Sequence, residues 1–148
     1  MNIKAQHLKK LLPQLNYAGV YHLPHSGQGA LDAAARELGF MSFHCDLADT
    51  AEMGILLSAL GRSLGFPDWY GGNLDALHDC LTDLSWHEAP GYILTLSGAD
   101  TLHTDAAGFS TLNDVFTDAC AYWKEQGIPF WIFYDLRADG LASLPTLA

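Results

Sequence analysis

At 148 residues the chain has room for one domain with a core of its own and too little for two ordinary ones. Hydrophobic residues make up 49% and charged residues 16%, a composition that packs into a globule and excludes a disordered chain. The formal charge of −10, from 17 acidic and 7 basic residues, opposes direct binding to nucleic acid or to an anionic membrane and favours a basic partner.

In chain order, residues 3–15 read as a short amphipathic helix, "GVYHL" (19–23) as a strand and "SGQGALDAAARELG" as a glycine-entered helix ending at Gly39. The opening "MNIKAQHLKKLLPQLNY" carries lysines without a continuous apolar segment or a small-residue cleavage site behind them, so no signal peptide is expected. No apolar run approaches the roughly 18 residues needed to cross a bilayer, and a cytoplasmic location is the expectation. "FMSFHCDL" (40–47) is a second strand, and "DTAEMGILLSALGRSLG" a helix that Asp49 or Thr50 can cap and Gly65 with Pro67 can end. A further helix follows the loop at 66–72. "GYILTLSG" is a buried strand, "GFSTLNDVFTDACAYWKEQG" a long helix stopped by Gly127, and "IPFWIFYDL" the last strand. The unbroken apolar character of that strand suits the centre of a sheet covered on both faces. Strands separated by helices imply parallel pairing and an α/β fold: one domain over 1–148, a small parallel sheet packed with helices. Cys45, Cys80 and Cys120 are widely spaced, with no C-x-x-C pair. They read as small buried hydrophobes, not as a disulfide framework or zinc site.

The segment "FPDWYGGNLDALHDCLTDL" (66–84) concentrates its aspartates without a single lysine or arginine. At about 100° per residue, Leu74, Leu77, Leu81 and Leu84 fall on one stripe, while Asp75, Asp79 and Asp83 recur on the opposite face. Asn73 is a fitting N-cap, and Asp75 lies near the positive end of the helix dipole. Asp79 and Asp83 gain little from the dipole and repel their neighbours at i,i+4, so a row left without a lysine points to function beyond mere solvation. In the long helix Leu112, Val115, Phe116, Ala119 and Trp123 can face the core, with Asp114 and Asp118 on another face. Two acidic helix faces beside an aromatic, glycine-rich loop (Trp69, Tyr70, Gly71, Gly72) have the makings of a protein interface.

"PDWYGGNLDALHDCLTDL" resembles the signature of the barstar family, intracellular inhibitors of secreted guanyl-specific ribonucleases such as barnase. Pro67, Tyr70, Gly71, Asn73, Leu74, Asp75, Ala76, Leu77, Asp79, Cys80, Leu81 and Thr82 match it, and a looser likeness extends from about residue 40 to 136. The resemblance implies a barstar-like sheet of three core strands, to which the amino-terminal extension (1–39) can add an edge strand. It also implies that Asp79 enters the ribonuclease active site in place of an RNA phosphate and that Asp75 pairs with arginine or lysine at its rim. Trp69, Gly71, Asn73 and Thr82 would line the contact, with Asp118 meeting a further basic residue. His78 and Asp83, on the same helix, complete the expected surface. The chain departs from the pattern at Trp69 (usually tyrosine), Gly72 (usually acidic) and His78 (usually tryptophan). The expected partner is therefore a basic ribonuclease or a nuclease toxin other than barnase itself, bound one-to-one without a cofactor.

Rival readings have weaker support. Asp75 and Asp79 with His78 could form an acid/base set, but His78 is turned away from both, and no phosphate loop or nucleophile motif accompanies them. His44 and Asp46 share a strand face and could form a dyad or a strand-end hydrogen bond. An EF-hand needs oxygen ligands at alternate loop positions, and the seven histidines show no paired helical spacing, so no metal is expected. A module of the same fold with a non-nuclease basic partner is the alternative function. A DNA mimic would need a longer run of carboxylates than two helices supply.

Overall fold

The apolar segment near the carboxyl end becomes β4 (Phe130–Leu136), an inner strand of a sheet with β1 (Val20–Pro24), β2 (Met41–Asp46) and β3 (Tyr92–Ser97). The computed structural model describes residues 5–24, 27–47, 52–68, 70–85, 87–98 and 106–136. All pairings are parallel and the order is β1-β4-β3-β2. Ile132 stands in register with Val20 on one side and Leu94 on the other. The extension thus supplies the edge strand β1, and the expected α/β fold is the one observed.

Among the described residues, five helices connect and cover the strands: α1 (Ala5–Leu11), α2 (Gln28–Leu38), α3 (Met53–Leu64), α4 (Leu74–Leu81) and α5 (Ala106–Glu125). Alternate strand side chains point to opposite faces, and both faces are covered. On one, α3, α4 and α5 pack over Phe43, Tyr92, Leu94, Phe130, Ile132 and Tyr134. On the other, Leu8 and Leu12 at α1 and Leu31, Ala34 and Ala35 of α2 cover Ile93, Trp131 and Phe133. The Trp131 indole donates to the Leu12 carbonyl at 2.9 Å, so the extension satisfies the one polar group that this buried ring carries. Residues 5–38 therefore complete a core that strands 41–46, 92–97 and 130–136 cannot cover alone.

Several element ends differ from the sequence expectation, and three of them have a local cause or consequence. The first helix stops at Leu11 and gives way to a 3-10 turn at Leu15–Tyr17, because Pro13 cannot donate to a continuing helix. Asp49 and Thr50 lie outside the described residues; the N-cap of α3 is Glu52, whose side chain makes no capping hydrogen bond. The acidic helix ends at Leu81 with Thr82 as its C-cap. Leu84, expected on the helical stripe, lies past the helix with φ 49° and still buries its side chain completely.

Candidate functional site

Helix α4 is fixed from three sides. Asn73 Oδ1 accepts the Ala76 N–H at 2.8 Å and closes its amino end. Leu77, Cys80 and Leu81 are fully buried beneath it. At the carboxyl end, the Trp123 indole of α5 donates to the Leu81 carbonyl at 2.7 Å, taking up a carbonyl that the helix leaves without a partner. The Thr82 hydroxyl donates to the His78 carbonyl at 2.8 Å. These contacts hold α4 and α5 side by side, with their polar faces in solvent.

Asp75, Asp79 and Asp83 are exposed, as are Asp114 and Asp118 of α5. None of the five forms an ion pair among the described residues. Asp83 does not continue the helical row; beyond the helix end, its Oδ1 accepts the Ser85 N–H at 3.3 Å, and it stands at the edge of the acidic surface. His78 is half-buried on α4 and Asn73 exposed at the amino end. Trp69 lies outside the described residues. The outcome is a surface of exposed carboxylates that no described cation pairs with.

The loop before α4 is tied down by a contact that motif spacing did not reveal. Tyr70 donates its hydroxyl to the Leu57 carbonyl at 2.8 Å and lays its ring on Gly61 of α3. A Cβ at position 61 would lie 2.7 Å from Tyr70 Cε2, so only glycine lets the ring approach that closely. Phe66 meets the same ring edge-on, with centroids 4.8 Å apart. The available sequence signal was a glycine inside an otherwise helical pattern. Gly72 has φ 69°, and a Cβ there would have nothing within 4 Å, so its backbone conformation, not lack of room, favours glycine.

Burial pushes the Cys80 thiol up to about 11, with Asp79 and Asp83 adding to the shift, so the protonated thiol is favoured at neutral pH. His44 pairs through Nε2 with Asp32 Oδ1 of α2 at 3.2 Å. Among the described residues no cluster of His, Cys, Asp or Glu could hold a metal ion. No described helix is long and apolar enough to cross a membrane.

Comparison with known proteins agrees with this architecture. A family model described as Barstar (barnase inhibitor) matches residues 40–135, which take in β2, β3, all but the last residue of β4 and the five aspartates of the acidic surface. No curated protein sequence matches the chain. Among solved structures, the Aeropyrum pernix ORC2 protein in ADPNP–ADP complexes is similar with a TM-score of 0.56 at 18% identity. The match covers 88% of this chain and 40% of that one, and at that identity it is a likeness of fold.

Proposed function

This chain belongs to the barstar family, and on that premise we propose that it inhibits a basic, barnase-like ribonuclease or a nuclease toxin. The observation that carries the proposal is the exposed carboxylates of Asp75 and Asp79 on α4, which form no ion pair among the described residues; this helix bears the family signature. A nuclease cleft gathers cations to bind the phosphates of RNA, and fixed carboxylates compete for the same groups. In this reading Asp79 enters the cleft and Asp75 pairs at its rim. Asp83 and Asp118 meet outlying basic residues. Trp69, Gly71, Asn73, His78 and Thr82 form the surrounding contact that excludes water. Inhibition is occlusion: one inhibitor covers one active site in the cytoplasm, with no cofactor and no covalent step, and 1–148 acts as one domain.

The test is an inhibition titration of the purified protein against a panel of barnase-like ribonucleases and basic toxin nuclease domains at low salt. The expected result is stoichiometric loss of cleavage by at least one of them, with association slowing as salt rises. Absence of binding across the whole panel would overturn the proposal.

A further inference from the structure

Beside the proposed interface stands a cation with no ion-pair partner among the described residues. Arg62 is exposed in the last turn of α3 and makes no such pair, although carboxylates outnumber lysines and arginines 17 to 7. It lines a cavity of about 510 Å³ between the end of α3 and the loop that leads into α4. Gly61, Gly65, Gly71 and Gly72 leave the space open, and Phe66 and Tyr70 line it with aromatic rings. Gly71 and Gly72 also lead directly to Asn73, the N-cap of α4, so the cavity wall and the acidic helix are joined along the chain. Asp68 lines it as well but lies beyond 4.0 Å ion-pair distance from Arg62. The guanidinium is thus open to an anion from outside, and Asp68 to a cation next to it.

We infer that this cavity receives an acidic side chain of the nuclease and that Arg62 selects among partners by pairing with it. The inference rests on the inhibitor reading above and adds to it a contact of reversed charge. A planar guanidinium grips a carboxylate with two parallel hydrogen bonds, and the aromatic rings shield the pair from water. A surface made only of carboxylates would bind basic clefts with little discrimination. One cation among them rejects any nuclease that presents a basic residue at this place, since like charges brought together there are repelled. A helix carboxyl end also favours arginine for its dipole, which would account for stability but not for partner choice.

The two roles give opposite signs in one experiment. Affinity is measured for wild type, Arg62→Gln, Arg62→Glu and Asp79→Ala against the panel nuclease that is inhibited most tightly, with thermal unfolding of each variant as a control for folding. On the present inference Arg62→Gln weakens binding by about tenfold and Arg62→Glu by more, even though the second change makes the inhibitor more acidic. Lysine substitution of one acidic residue beside the nuclease cleft then restores binding to Arg62→Glu alone. Equal or tighter binding by Arg62→Glu, with Asp79→Ala still strongly impaired, overturns the cavity contact and leaves the inhibitor reading standing. If no panel nuclease binds the wild type, the inhibitor reading fails and this inference fails with it.

Discussion

Changing Gly61 to alanine should destabilise the protein, while the same change at Gly54, seven residues earlier on α3, should not. Alanine in place of a helical glycine gains up to about 1 kcal/mol from backbone entropy. At Gly54 nothing lies within 4 Å of the new methyl, so that gain is the whole effect. At Gly61 the methyl would sit 2.7 and 2.9 Å from two ring atoms of Tyr70, and overpacking of that kind costs about 1–3 kcal/mol. Displacing the ring also breaks its hydrogen bond to the Leu57 carbonyl, for about 1 kcal/mol more. The net expectation is a loss of about 1–3 kcal/mol at Gly61 and a gain of up to about 1 kcal/mol at Gly54. Urea unfolding followed by circular dichroism measures both, and Tyr70→Ala should remove most of the difference in a double-mutant cycle. Effects of the same sign at the two glycines would refute the account of how the loop is held.

Two further changes probe the core and its ionisable groups. Leu31→Ala, on the helix layer contributed by the extension, removes a fully buried side chain and should cost about 2–5 kcal/mol; fluorescence and circular dichroism should still report one coincident urea transition, and two separate transitions would mean that the extension folds apart from the rest. Stability should also fall as pH rises above 9, because burial pushes the Cys120 thiol from its ordinary 9.0 up to about 12 and the Tyr70 hydroxyl from 10.0 up to about 12. Above pH 9 the unfolded chain gives up protons that the folded chain keeps, so the unfolded state gains and the urea midpoint drops through pH 9–12; a midpoint that stays level there would contradict the burial of these groups.

Much of this architecture was legible in the sequence because periodicity reports burial. The unbroken apolar run of β4 foretold a strand covered on both faces, and its neighbours β1 and β3 with helices above and below bear that out. The leucine and aspartate faces of α4 were likewise readable, since Leu77 and Leu81 are buried and Asp75 and Asp79 exposed. Periodicity failed where the chain leaves a helix while keeping its hydrophobic rhythm: Leu84 fits the stripe but reaches the core from a left-handed backbone. It also says nothing about partners brought together by tertiary folding. Tyr70 reaches back across α3 to Leu57, His44 pairs with Asp32 of α2, and Trp123 caps α4 from another helix. The cavity beside Arg62 belongs to this class, because its walls come from a helix end and from a loop that folds back over it.

The central claim is that a carboxylate on α4 takes the place of an RNA phosphate, and the most direct test is the affinity of Asp79→Ala for the nuclease that the wild-type protein inhibits. Truncating one member of a buried charge pair leaves the partner's cations unpaired, so the account predicts a loss of several kcal/mol, about 2–5 or more; the barnase–barstar pair is itself a known case, with close charge pairs coupled by about 1.5–7 kcal/mol. Asp79 is exposed and without an ion-pair partner among the described residues, so its removal should leave the unfolding transition almost unchanged. Binding by Asp79→Ala that equals the wild type would contradict the claim.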